Sequence, residues 1–370
     1  MDRREFIGYG SAAALTAAFI KGQADQEAEA QTASHFELHM EEIYEELIDG
    51  EVVFALVFRD PVTRALRPPL KMRQATTVTM KLVNKTRRPR RFAITGWLDS
   101  KFPVIPAGQS ATITFTAPPA GTYIYHEVSE GAAGRVLGLH GVITTWHPNN
   151  RTAAGTVTPY NANALTPEVA ALFDAFGEHY DFPGNKWDPS RDIIWLMSQI
   201  DPLINQAAER NVAIDLSLPV YRFRPRYFTL NGLSGYDAAH DEYTVPKGYV
   251  GEPMLIRTAN AGLATHAPHV HGNHVLRLSE CNASGKLKVC DNVHELDTWC
   301  LHPLERIDII LPFKKPDEIP HEVWPPVQEK FPLLYPMHCH CEMSQTAGGG
   351  NYPQGLVTHW DLLGTQRVVA

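Results

Sequence analysis

Two short windows concentrate side chains able to hold a metal. The first runs Thr265-His266-Ala267-Pro268-His269-Val270-His271-Gly272-Asn273-His274, and the second Pro336-Met337-His338-Cys339-His340-Cys341-Glu342-Met343-Ser344. Together they hold six of the chain's 17 histidines. Side chains alternate across a strand, so His338 and His340 share one face while Cys339 points to the other. His269 and His271 share a face by the same rule, and His266 has the opposite parity. The residues therefore sort into a nitrogen-rich set of His269, His271, His338 and His340, and a softer pair, His266 with Cys339. Imidazole serves Cu, Zn, Fe and Ni, and thiolate with imidazole is the donor set of blue copper. A structural zinc site is the rival on the same residues.

Such parity needs strands, and the chain supplies them. Glu51–Phe58 is β-rich, Thr76–Asn84 and Ser110–Phe115 alternate, and Gly121–His126 and Gly141–Trp146 follow. Met254–Thr258, His274–Leu278 and Arg306–Leu311 read as later strands. Between them, Pro167–Glu178 and Ser198–Arg210 read as helices with Pro and Asp at their edges. The expected fold is all-β: two Greek-key β-sandwich or barrel domains, over 35–158 and 216–370, joined by a partly helical linker over 159–215. Residues 316–332 read as a Pro-rich loop.

The chain has 370 residues, 33 Lys plus Arg against 41 Asp plus Glu, and a formal net charge of −8. That balance, with no basic stripe, excludes a nucleic-acid partner. Hydrophobic residues at 44% and charged residues at 20% describe a globular protein able to bury cores. No apolar run reaches the roughly 18 residues of a membrane span. Residues 1–34 read as an export signal: Arg3-Arg4 ahead of Phe6-Ile7, a short apolar stretch, then an Ala-rich exit. The paired arginines resemble the twin-arginine type, which implies a periplasmic or otherwise exported protein. Five cysteines in that compartment permit disulfides. Cys281 and Cys290 bracket the turn-like Asn282-Ala283-Ser284-Gly285-Lys286 and are expected to pair. Cys341 has three readings: with Met343, a sulfur-rich site beside Cys339; a buried thiol; or a disulfide with Cys300.

On these motifs the chain resembles the multicopper oxidases, which are built from cupredoxin domains. The resemblance rests on H-x-x-H-x-H-G at 266–272 and H-C-H at 338–340. It is carried further by Pro68–Asn84, Pro106–Phe115, Ala120–His126, Gly251–Arg257 and Asp297–Asp308. It implies copper as cofactor, with His266 and Cys339 at a type 1 site. It implies type 2 and type 3 copper on His269, His271, His338, His340 and His126. It also implies a small-molecule or metal-ion electron donor, oxygen as acceptor, and a homotrimer with His126 facing another subunit's histidines.

The sequence also departs from that pattern. The first-domain H-x-H falls at Phe92–Trp97, which holds no histidine, and at His126-Glu127-Val128 only His126 remains. Ser344 stands where the family places the second type 1 histidine, Leu356 falls at the axial position, and His359 lies three residues further on. The expectation is a copper-dependent oxidoreductase, weakly coloured and poor toward phenolic donors. The alternatives are a copper-binding or electron-transfer protein without four-electron oxidase activity, or a structural or zinc-binding cupredoxin pair.

Overall fold

The computed structural model describes residues 34–98, 102–176, 187–218, 222–315, 319–324 and 330–365. The expected signal segment lies outside the described residues, Ser34 excepted. The first eight strands are β1 His35–Glu46, β2 Val52–Arg59, β3 Leu70–Arg73, β4 Thr77–Asn84, β5 Phe92–Ile94, β6 Ser110–Thr116, β7 Gly121–Glu127 and β8 His140–Trp146. They form two four-stranded sheets, β2-β1-β4-β6 and β3-β8-β7-β5. On β4, Val78, Met80 and Leu82 alternate inward with exposed or half-buried neighbours. They meet Met72, Phe92, Tyr123 and Tyr125 of the facing sheet in one core. This is sheet-on-sheet packing.

Ten more strands follow: β9 Asp192–Ile200, β10 Tyr227–Leu230, β11 Lys247–Gly248, β12 Met254–Asn260, β13 Pro268–Val270, β14 Val275–Cys281, β15 Leu287–Leu296, β16 Arg306–Leu311, β17 Leu333–Cys339 and β18 Val357–Leu362. They make a six-stranded sheet, β10-β9-β12-β16-β14-β15, over a four-stranded one, β11-β18-β17-β13. Trp195, Ile256 and Ile309 of the first meet Val270, Met337 and Trp360 of the second in the other main core. Helix Pro167–Ala175 covers the outer face of the six-stranded sheet, burying Val169 and Phe173 against Leu255, Leu278 and Ile310. Thr166 caps it, its Oγ1 accepting from Val169 N, with Pro167 in its first turn.

The two halves meet along β7 and β8. Tyr123 and Tyr125 point into the first core, so Ile124 faces the other way. With Val142 it packs on Ile194, Leu196, Ala259 and Ala261. A tight approach adds to this seam: a Cβ on Gly96 would sit 1.8 Å from Gly285 Cα, and both residues have positive φ. Glycine is required there on both counts.

Two expectations need correction. The stretch 192–200, read as linker and in part as helix, is a strand at the heart of the six-stranded sheet. Its residues 194–199 are buried on both faces, so it lacks the alternation that betrays a half-buried strand. The helix expected there is confined to Pro202–Glu209. The Cys281–Cys290 disulfide is absent, and all five cysteines are free thiols. The hairpin pairs Cys281 with Leu287 and Ser279 with Val289, which sends Cys290 to the opposite face of the sheet. Thiol titration in denaturant is expected to give five thiols per chain with or without prior reduction. Three thiols rising to five on reduction would restore the bridge.

Candidate metal centre

β13 and β17 are antiparallel neighbours with His269 opposite His338, Pro268 opposite Cys339 and Val270 opposite Met337. The ladder continues past both ends. His340 N donates to Ala267 O at 2.8 Å and His271 N to Pro336 O at 2.9 Å. Val270, Met337 and Cys339 point into the core, each 1% exposed. The histidines between them are left on the outer face. Gly272, at φ +70°, ends this run, and a Cβ there would strike the Tyr335 ring at 2.2 Å.

Four imidazoles converge on that outer face. His269 lies 4.7 Å from His271, 5.3 Å from His338 and 4.6 Å from His340 between ring centroids. His338 lies 5.3 Å from His340. His271 Nε2 approaches His338 Nε2 at 3.0 Å. One ring nitrogen each from His269, His271 and His338 falls within 4.8 Å of the others, a group that could hold a metal ion. His269 Nδ1 donates to the Asp297 carbonyl at 3.0 Å, with Thr298 Oγ1 at 2.9 Å. That fixes the tautomer and leaves the Nε2 lone pair for the cluster. Burial, then the neighbouring imidazoles, holds His269 and His338 below the ordinary histidine value. Both are therefore neutral, the ligand form, at neutral pH.

On the core face, His266 is fully buried and its Nδ1 lies 3.5 Å from Cys339 Sγ. Ala267 N donates to the same sulfur at 3.3 Å. Burial pushes the His266 imidazole down to about 4. Its Nε2 meets the side-chain amide of Gln199. Gln199 Oε1 is already held by Leu263 N at 2.7 Å and Ala264 N at 3.1 Å, so the amide presents its N–H to the imidazole. His266 then carries its proton on Nδ1, aimed at the Cys339 sulfur.

Around this pair no second imidazole arrives among the described residues. Ser344 is buried, and its hydroxyl donates to Cys341 O at 2.6 Å. Leu356 is buried and offers its carbonyl to Cys339 N at 3.1 Å. His359 is paired with Pro336 on β18, on the opposite face from Cys339. It is engaged by Asp361 Oδ1 at 2.5 Å and Ala239 O at 2.8 Å. Cys341 and Cys300 are exposed free thiols.

His126 lies apart from the four clustered histidines. It stands on β7 opposite Ala93 on one side and His140 on the other, and is 6% exposed. Phe92, Ala93 and Ile94 of β5 are buried apolar residues. Burial, reinforced by Arg135, pushes His126 down to about 3, and burial does the same to His140. His140 Nδ1 is held by Arg135 O at 2.8 Å.

These two groups have a pH consequence with a definite sign. In the unfolded chain a histidine takes up its proton below about pH 6.5. In the fold His140 resists until about 3, so the unfolded state binds more protons between those values. Its contribution to stability is present above about pH 6.5 and is lost as pH falls. His140→Gln keeps a donor for Arg135 O and removes the titration. Between pH 6.5 and 4.5 the unmodified protein is expected to lose about 2 kcal/mol more than this variant. Parallel pH dependences of the urea midpoints would count against the assignment.

Gln199 and the Asp297–Thr298 pair escape a sequence reading. Gln199 sits in the stretch read as helical linker, and its partner is 67 residues away. Only the tertiary fold brings the two together.

No protein-family model and no curated protein sequence matches this chain. Solved structures do. A blue copper oxidase from Nitrosomonas europaea superposes with a TM-score of 0.61 and 20% identity, over 89% of this chain and 85% of that one. The multicopper oxidase mgLAC gives a TM-score of 0.59 and 20% identity, over 91% and 87%. A copper nitrite reductase from Nitrosomonas europaea gives 0.55 and 16%, over 90% and 94%. The fold expected from the sequence is the fold observed: two cupredoxin-like β-sandwiches, as in the multicopper oxidases and copper nitrite reductases.

Proposed function

We propose that this chain is an exported, copper-binding oxidoreductase of the multicopper-oxidase kind. Its donor would be a small molecule or a metal ion, and its acceptor oxygen. The observation that carries the reading is the split of β17, which delivers His338 and His340 to a four-imidazole cluster and Cys339 to the opposite face. A cluster of imidazoles suits copper. His269, His271, His338 and His340 would hold it. Bound copper would supply one-electron chemistry by cycling between its two oxidation states.

The chain's own residues do the rest. Asp297 and Thr298 orient His269, and the ladder bonds at Ala267 and Pro336 fix the backbone on either side. His338-Cys339-His340 is a continuous covalent bridge between the imidazole cluster and the sulfur face. The solved copper nitrite reductase and oxidases of the same fold support copper as the metal. His271 and His340 are exposed, so the cluster opens to the surface, where a homotrimer would place a second copy.

Metal analysis of the purified chain, electron paramagnetic resonance and oxygen uptake test the proposal together. Copper with a Cu(II) signal, and oxygen uptake on adding a reducing donor, is the expected result. Zinc in place of copper would overturn it. Copper without oxygen uptake would leave an electron-transfer or copper-binding protein. Sedimentation of the same sample reads the assembly.

A further inference from the structure

Cys339 has a second sulfur beside it. Cys341 follows just past the end of β17, against the same Thr265–Ala267 segment whose Ala267 N–H donates to Cys339 Sγ. Its Sγ also lies 3.5 Å from Thr265 O. The imidazole next to Cys339 is not arranged to ligate. Gln199 occupies His266 Nε2 as a donor, so the proton sits on Nδ1 and points at Cys339 Sγ, 3.5 Å away. Ala267 N–H is a second donor to that sulfur. Ser344 supplies no nitrogen, and His359 is turned to the other face. The donors at this place are two sulfurs stabilised by two N–H groups. Thiolates without imidazole select soft monovalent copper over the divalent ion.

We propose that Cys339 and Cys341 form a two-sulfur site for Cu(I), with His266 and Ala267 donating to the Cys339 sulfur. The proposal deepens the function above and rests on reading the chain as a copper protein. Binding exchanges two S–H bonds for two Cu–S bonds and releases both protons to solvent. No electron is transferred, because the ion arrives already reduced. The resulting centre carries one net negative charge, which the two N–H donors offset. Cys341 is exposed while Cys339 is buried, so Cys341 is the sulfur that meets solvent.

The test is anaerobic titration of the full chain with the copper(I) bicinchoninate complex. The expected result is uptake at this site first, so that X-ray absorption at one copper per chain shows two sulfur donors and no nitrogen. Cys341→Ser is expected to lower the Cu(I) affinity by at least about a hundredfold, more than loss of an outer partner does. Cys300→Ser should leave it unchanged. Unaltered Cu(I) affinity in Cys341→Ser, or a nitrogen donor in the shell of that first copper, would overturn the proposal. A measurement on the unmodified chain guards against misfolding of the variant. Cu(I) should protect Cys341 from iodoacetamide while Cys300 stays reactive, and equal labelling of Cys341 with and without copper would also overturn it. The Cu(II) resonance of the histidine cluster should persist in Cys341→Ser. Its absence from the unmodified protein would sink the proposed function and leave the thiol site standing.

Discussion

Changing His338 to alanine should weaken Cu(II) binding at the histidine cluster by at least about a hundredfold. His338 is where the cluster closes. Its Nε2 lies 3.0 Å from that of His271, and its ring is 5.3 Å from both His269 and His340. Without it, the group of ring nitrogens within 4.8 Å of one another loses one of its three members. Loss of a partner that merely orients a ligand typically costs 10- to 100-fold, on the order of what Thr298→Val should cost through His269. Loss of a direct ligand must exceed that. The measurement is Cu(II) titration against a competing chelator, with both variants beside the unmodified chain. Equal affinities for His338→Ala and the unmodified chain would place the copper elsewhere.

The cluster was legible because its logic is local. Alternation along 338–340 sends Cys339 inward and its neighbours outward, and the observed register of β13 against β17 obeys that rule. The opposite parity of His266 also held: Pro268 pairs in register with Cys339 and leaves the alternation intact. Long-range partners left no such trace. Gln199 reaches His266 only after β9 has joined β12, and nothing in the local pattern of residues 192–200 distinguishes a doubly buried strand from an apolar helix. The cysteine pair failed for a related reason. Spacing around a turn permits a bridge, but the hairpin register decides which face each sulfur takes, and it takes them apart. The missing nitrogen donor is a third case. Whether His359 could replace a histidine at Ser344 depended on the path of the Gly-rich loop Thr346–Gly355. The strand β18 that follows it turns the imidazole away.

The largest expected loss of stability lies at the seam between the halves, at Arg257. This residue of β12 is 4% exposed and grips Asp192 of β9 through Nε at 2.8 Å and Nη2 at 2.8 Å. Its Nη1 reaches Thr122 Oγ1 of β7 at 3.1 Å and Asp308 Oδ2 of β16 at 3.4 Å. Asp308, 1% exposed, also accepts from Thr122 at 2.6 Å and from Tyr160 at 3.1 Å. Burial alone would lower the guanidinium's proton affinity, but Asp192 and Asp308 outweigh it and raise it. Arg257→Met fills similar space and leaves Asp308 as a buried charge without its cation. Breaking a buried pair in this way costs about 3–5 kcal/mol. Arg257→Lys should recover part of the loss, since it restores charge but not the two-pronged grip on Asp192. Arg257→Met/Asp308→Asn should recover part by a different route, removing the stranded charge itself. Urea unfolding of the three variants measures the effect. A loss below about 1 kcal/mol for Arg257→Met, the size of an exposed pair, would mean that water reaches the seam. The metal centre has a stake in the result. β12 runs from Arg257 into Asn260, whose side chain holds Ala264 O at 2.8 Å and Leu301 O at 2.9 Å and so shapes the loop that carries His266. A strand loosened at Arg257 should therefore disturb the Cys339 side of β17 before the surface histidines. Cu(I) affinity should fall in Arg257→Met while Cu(II) affinity at the cluster holds.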